Sequence, residues 1–155
     1  MRTLMLLTGL IALAGCATGA GERAVQREAA SLARYEAAAG EPVRSFRYFR
    51  IDHFVALGDS ALAVWTTQRT AWLLTVDRGC PELQSSMAIG IDGQFNRVYV
   101  NSDAIVVPQG RCVVRSIREV DVAALRASER AAREPVGSDG SAGRDATAGQ
   151  PAGGT

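Results

Sequence analysis

Residues 61–76 read ALAVWTTQRTAWLLTV, and they contain the clearest strand signal in the chain. Two short runs rich in β-branched and aromatic residues, 61–66 and 70–76, flank the polar pair Gln68-Arg69. Such runs, bounded by turn residues, predict two strands of an antiparallel hairpin. If the turn has two residues, Trp65 and Trp72 face each other across the strands. The register stays open, because two-residue turns favour glycine.

Similar short runs continue on both sides of this hairpin. They are FRYFRIDHFVAL (46–57), MAIGI (87–91), RVYV (97–100), AIVV (104–107) and CVVRSI (112–117). No helical pattern separates them, as a parallel sheet would require. The spacing therefore predicts a mainly β domain over residues 43–122, a small antiparallel β-barrel or sandwich of six to seven short strands.

Helical segments flank the predicted β domain. Residues 22–40 are rich in Ala, Glu and Arg, and this composition predicts an N-terminal helical stalk. Val25, Leu32 and Tyr35 form only a weak apolar stripe along it. The weak stripe favours a solvated helix over one packed on the core. Asp121 is a suitable N-cap for a short C-terminal helix over 123–134. The small polar residues of 135–155 predict a disordered tail.

The N-terminus has the pattern of a bacterial export signal. Arg2 is followed by an apolar run from Leu4 to Leu13, which is too short for a comfortable membrane span. The run ends in Leu13-Ala14-Gly15-Cys16, which resembles the lipobox of bacterial lipoproteins. The alternative is an ordinary secretory signal that contains a chance cysteine.

The lipobox resemblance implies a signal peptide over 1–15 and a mature N-terminal Cys16 that carries three acyl chains, enough for stable membrane anchoring. Residues 16–21 then form a lipidated, flexible tether. Ala17 stands where an Asp would favour the inner membrane, so the resemblance implies a lipid anchor in the outer membrane, on the periplasmic side. No second apolar segment of spanning length follows.

Composition excludes some classes of function. The chain has 17 basic and 16 acidic residues and a net charge of +1. This balance argues against a nucleic-acid partner. Every basic residue is Arg, so Schiff-base chemistry and a Walker-type phosphate loop are excluded. We expect neither a cofactor nor a metal.

Two cysteines remain once Cys16 is assigned to lipid. In an oxidising compartment Cys80 and Cys112 most simply pair with each other. The bridge would close a loop of roughly 30 residues and stabilise the fold by about 3–4 kcal/mol. A metal pair or a reactive thiol are the alternatives, although structural zinc needs four ligands and the chain has one histidine.

Two segments carry a resemblance to a known family: AWLLTVDRGCPELQSSMAIGI (71–91) and DAIVVPQGRCVVRSIREVD (103–121). The order of a strand, Cys-Pro-x-Leu, an Ile-Gly strand and a second cysteine resembles an uncharacterised family of proteobacterial lipoproteins, domain of unknown function 6491. The resemblance covers roughly residues 43–122. It implies an envelope lipoprotein in which Cys80 and Cys112 are paired, and it implies no known chemistry.

His53 is the main candidate for acid–base chemistry. Its possible partners are the carboxylates of Asp52, Asp59 and Asp77, while Ser60 and Cys80 are candidate nucleophiles. On a strand, however, His53 would share a face with Ile51 and Val55, which favours a half-buried structural histidine. No catalytic signature accompanies it, so we expect no enzyme.

A ligand surface is the other candidate site. Trp65, Trp72 and His53 are possible contacts for a sugar or a lipid headgroup, although packing on the sheet explains tryptophans equally well. Two groups of arginines suit phosphate contact or an ordinary solvated surface. They are Arg44, Arg47 and Arg50, and Arg111, Arg115 and Arg118.

These observations predict a lipoprotein with a non-catalytic binding or structural role in the cell envelope. Its partner is expected to be an envelope protein or a glycan. The alternatives are an envelope enzyme that uses His53 with nearby carboxylates, and a small ligand-carrying β-barrel with an apolar cavity.

Overall fold

The computed structural model describes residues 18–133 apart from Arg78 and Pro81. In chain order the elements are α1 (Thr18–Ala38), β1 (Ala39–Pro42), β2 (Ser45–Arg47), β3 (His53–Ala56), β4 (Ala61–Thr67), β5 (Thr70–Val76), β6 (Gly90–Asp92), β7 (Arg97–Tyr99), β8 (Ala104–Val107), β9 (Gly110–Val120) and α2 (Val122–Arg133). The predicted signal peptide, Cys16 and the predicted tail over 135–155 lie outside the described residues.

Seven of the strands form one antiparallel sheet that curls into a half-barrel. The strand order is β3-β4-β5-β9-β8-β6, and β1 also pairs with β9. The eleven-residue strand β9 is central, because β5 pairs along one edge while β8 and β1 share the other. The remaining strands, β2 and β7, pair separately as a two-stranded ribbon. This arrangement confirms the mainly β, antiparallel prediction.

The main sheet has seven strands, within the predicted six to seven, but the strands do not coincide with the predicted runs. The run 46–57 is continuous in the sequence pattern, but it splits into β2 and β3 around residues 48–52. Strand β1 lies partly inside the predicted stalk, where Ala39 pairs with Val120. With β2 and β7, which form the separate ribbon, the described residues contain nine strands.

Both sides of the sheet are buried at β4, whose first five residues are all buried. Leu62 and Val64 point to what we call the ribbon side, where they pack with Phe46 and Val98 of the ribbon. The alternate residues of β4 point to the helix side, where α1 and α2 pack. Alternation of this kind follows from the two-residue period of a strand.

The helix side is lined by small residues, and this corrects the prediction of a solvated stalk. Ala61, Ala63 and Ala71 leave room against the sheet, and the Tyr35 ring of α1 is buried there. Only the C-terminal half of α1 packs in this way, since Val25 stays exposed. The helix begins at Thr18, so it includes residues 18–21 of the predicted tether. Packing at one end favours helix propagation into weak helix formers at the other.

The β4–β5 hairpin has the predicted turn at Gln68-Arg69 but a different register. Thr67 pairs with Thr70, yet Trp65 pairs with Ala71 because a β-bulge falls between Trp65 and Thr67. One extra residue moves a side chain to the opposite face. The expectation that the two tryptophans face each other is therefore wrong, and Trp72 pairs with Val64.

The C-terminal helix α2 begins as predicted. The Asp121 carboxylate accepts hydrogen bonds from the backbone N–H groups of Ala123 (2.9 Å) and Ala124 (3.0 Å). This is the geometry of an N-cap. Val122 and Leu125 of α2 are buried on the helix side.

Candidate functional site

His53 lies at the start of the edge strand β3, directly opposite Trp65. Its ring stacks on the Trp65 indole with centroids 5.1 Å apart and an interplanar angle of 16°. The Nδ1 atom is 3.0 Å from Oδ2 of Asp52, and half of the His53 side chain is exposed. A carboxylate on Nδ1 fixes the orientation of an imidazole and leaves Nε2 to exchange protons. The pair is chemically able to act as an acid–base group.

The other candidate catalytic residues lie away from this pair. Asp59 and Ser60 are in the β3–β4 turn, at the end of β4 that begins with Ala61. Trp65, opposite His53, is four residues further along β4, a separation of about 13 Å. Asp77 follows the matching end of β5 and is held by Arg115, whose Nε donates to Oδ1 at 2.5 Å. The structure thus joins only Asp52 to His53.

The two tryptophans do not share a surface. Trp65 is 6% exposed and packs on the helix side, whereas Trp72 stacks on Phe46 on the ribbon side, with centroids 5.0 Å apart. Both indole N–H groups are buried, and neither has a hydrogen-bond partner among the described residues. Of the predicted ligand surface, His53 is exposed, Trp72 is half-buried and Trp65 is buried.

Tyr35 is the titratable side chain that the fold perturbs on the helix side. Burial raises the pKa of its hydroxyl above the ordinary value of 10.0. The neighbouring Trp65 indole lowers the pKa, but burial is the larger effect. The Trp65 N–H is too poorly placed to form a hydrogen bond with the Tyr35 hydroxyl. The neutral phenol is therefore the form that the fold stabilises.

Cys80 and Cys112 are at disulfide-bonding distance, as their predicted pairing requires. Their Cα atoms are 5.7 Å apart, and both residues are buried in the ribbon-side core. The pair ties the segment after β5 to the start of β9. Among the described residues, no three His, Cys, Asp or Glu side chains come together as metal ligands would.

The two groups of arginines have different environments. In the second group, Arg111 pairs with Asp92, Arg115 pairs with Asp77, and Arg118 donates to the carbonyl oxygens of Ala39 and Gly40, each at 2.7 Å. These three guanidinium groups are therefore engaged in contacts within the domain. The first group, Arg44, Arg47 and Arg50, is exposed and forms no ion pair within the described chain.

Sequence reasoning missed the end of the ribbon. Beyond Arg47 and Arg97 the two arms continue to Tyr48 and Asn96, whose backbones are joined by a 2.9 Å hydrogen bond. The next residue on each arm is a phenylalanine, and Phe49 and Phe95 are 95% and 93% exposed. We call Phe49, Arg50 and the turn 94–96 the ribbon tip. Asn96, a residue that tolerates left-handed backbone, was the available signal.

The fold and the family can now be placed together. The chain is a small antiparallel half-barrel with helices on one side and a ribbon on the other. It belongs to a family of unknown function, DUF6491, whose profile matches residues 1–136. No curated protein and no solved structure matches it. In the part of the chain that the structure describes, no helix has the length and apolar character needed to cross a bilayer.

Proposed function

We propose that this protein is an outer-membrane lipoprotein that holds a non-catalytic binding domain on the periplasmic side of the cell envelope. The Leu13-Ala14-Gly15-Cys16 motif supports the anchor. Helix α1 begins two residues after Cys16 and packs on the domain through Leu32 and Tyr35. A domain joined in this way stays close to the membrane that carries the lipid.

The observation that carries the binding role is the ribbon tip. Monomeric proteins expose single apolar residues commonly, but they rarely present two almost fully accessible aromatic rings at one end of a strand ribbon without a partner. Phe49 and Phe95 stand at the end of a ribbon whose base, Phe46 and Val98, is buried in the core. The rings are thus presented by an ordered element.

The anchor is tested by the intact mass of the protein extracted from its native membrane, measured before and after reduction. We expect a chain that begins at Cys16, carries three acyl chains and gains two hydrogens on reduction. A chain without acyl groups would contradict the anchor. A mass that does not change on reduction would contradict the Cys80–Cys112 bridge.

The binding role is tested by photo-crosslinking in cells. A photoreactive amino acid in place of Phe49 is expected to yield crosslinked products. The matched control is the same substitution at Gln109, which is exposed in the β8–β9 turn. Equal yields at both positions, or none at either, would contradict a binding role for the tip.

A second candidate function rests on the 3.0 Å contact between His53 and Asp52. In this alternative the pair is the acid–base group of an envelope enzyme. Deletion of the gene and replacement by the His53→Gln variant would then give the same defect in the envelope. Full complementation by His53→Gln would contradict the enzyme and leave the binding role.

A further inference from the structure

The ribbon tip contains backbone strain at an apolar residue. Phe95 and Asn96 have positive φ angles of 54° and 56°, and the N–H of Arg97 donates to the carbonyl of Gln94 at 3.1 Å. Two successive left-handed residues closed by this bond form a type I′ turn, which favours Asn and Gly. Asn96 suits its position. Phe95 does not, because a left-handed backbone crowds its Cβ.

Nothing within the described chain compensates for this strain. The Phe95 ring is 93% exposed, so it gains almost no packing from the domain that holds it. An exposed apolar ring also favours aggregation. A strained residue that is also unpacked indicates a role outside the fold. Phe49 on the other arm is equally exposed. Its exposure also indicates a role outside the fold, and this inference does not depend on backbone strain.

The turn is held in place by its surroundings. A Cβ atom on Gly93 would lie 2.5 Å from the carbonyl oxygen of Arg97, so this close backbone approach requires glycine. The Tyr48–Asn96 backbone bond closes the other side of the turn. The two phenylalanines therefore project from an ordered, convex end.

The two arms of the ribbon carry charge of one sign. The arms, residues 43–50 and 93–100, contain four arginines and no carboxylate. Arg97 is partly buried and donates to Oγ of Ser45 at 3.0 Å, whereas Arg44, Arg47 and Arg50 are exposed. Guanidinium groups beside apolar rings fit a surface that combines phosphates with hydrocarbon.

We propose that the ribbon tip is a second, reversible membrane contact, which inserts Phe49 and Phe95 into the interface of a bilayer that contains anionic phospholipid. The exposed arginines bind the lipid phosphates. A convex wedge needs a pocket in a protein partner, but a bilayer accepts it without one, and this favours lipid. The proposal deepens the proposed function and rests on it in one respect, because the lipid anchor raises the local concentration of bilayer at the tip.

The test places a fluorescent reporter at the tip of the full protein. Phe95→Trp protein, purified from its native membrane, is reconstituted into vesicles of phosphatidylcholine and phosphatidylglycerol whose acyl chains are brominated. Bromine quenches an indole that enters the bilayer. Gln109→Trp is the matched control, and the unsubstituted protein gives the background from Trp65 and Trp72, whose indoles are buried or half-buried.

We expect the emission added by Phe95→Trp to be quenched, and the emission added by Gln109→Trp to persist. Vesicles of phosphatidylcholine alone should quench much less. Neutralising Arg47 and Arg50 as the Arg47→Gln/Arg50→Gln pair should lower tip insertion by about fivefold per charge. Phe95→Asn should unfold at a higher temperature than the unsubstituted protein and should abolish photo-crosslinking to lipid from position 49.

Two different measurements test the lipid anchor and the membrane contact of the ribbon tip. Flotation of the protein with the vesicles reports the anchor, and a protein that does not float contradicts the proposed function. Quenching is then measured with added vesicles and still decides the tip. Absence of quenching overturns the membrane contact, as does equal quenching in neutral vesicles. Crosslinking from position 49 to a protein alone would also overturn it.

Discussion

The Cys80–Cys112 pair allows a quantitative test of what stabilises the fold. We consider the double variant Cys80→Ala/Cys112→Ala, in which alanine avoids a buried, unpaired hydroxyl. The two cysteines are 32 residues apart. In the chain-entropy treatment, removing a bridge that closes a loop of that length lowers the free energy of unfolding by about 3.7 kcal/mol. For a domain of this size the melting temperature should fall by about 15 °C.

The assay is urea unfolding followed by circular dichroism, with and without reductant. Reductant should destabilise the natural chain by nearly as much as the double substitution, and it should leave the double variant unchanged. The dependence on urea should also steepen, because an unfolded chain without the bridge exposes more surface. A loss below about 1 kcal/mol would refute the reasoning. It would mean that packing of the ribbon-side core alone orders the segment after β5.

Three further predictions concern single side chains. Because the fold favours the neutral Tyr35 phenol, the free energy of unfolding should fall as the pH rises above the ordinary pKa of 10.0. In Tyr35→Phe, the urea midpoint should fall less steeply over the same pH range. Parallel curves of midpoint against pH for the two proteins would contradict this prediction. Phe95→Asn should stabilise the fold by about 1 kcal/mol in thermal unfolding, and a destabilised variant would contradict strain at the tip. Asp121→Ala should cost about 1 kcal/mol while Asp121→Ser costs little, and equal losses would show that the cap is not the cause.

The strands were largely predictable from sequence because their signal is local. The runs 61–66 and 70–76 combine β-branched and aromatic residues with a polar turn, and they became β4 and β5 almost residue for residue. Their register was not predictable. A single extra residue near Thr66 sends Trp65 to the helix side. Composition contains no signal for a bulge, because it depends on how the sheet curls as a whole.

The site was harder to predict than the fold, because exposure is a property of the tertiary structure. Phe49 lies in a run that reads as strand, and nothing local distinguishes it from Phe46, which is buried. The N-terminal helix illustrates the opposite case, a residue that is buried although its local sequence predicts exposure. Its apolar stripe is too weak to predict packing, but the facing alanines at positions 61, 63 and 71 make room for Tyr35. Each outcome depended on residues far away in the chain.

The covering of β4 and β5 on both sides has a consequence for recognition. One side carries the helices and the other carries the ribbon, so the broad flat area that many β-sheets offer to partners is already used within the molecule. Recognition through this part of the domain has to take place at its margins, by turns and free strand edges. Substitutions at those margins should alter binding at little cost to folding, whereas substitutions on either side of β4 should alter folding first.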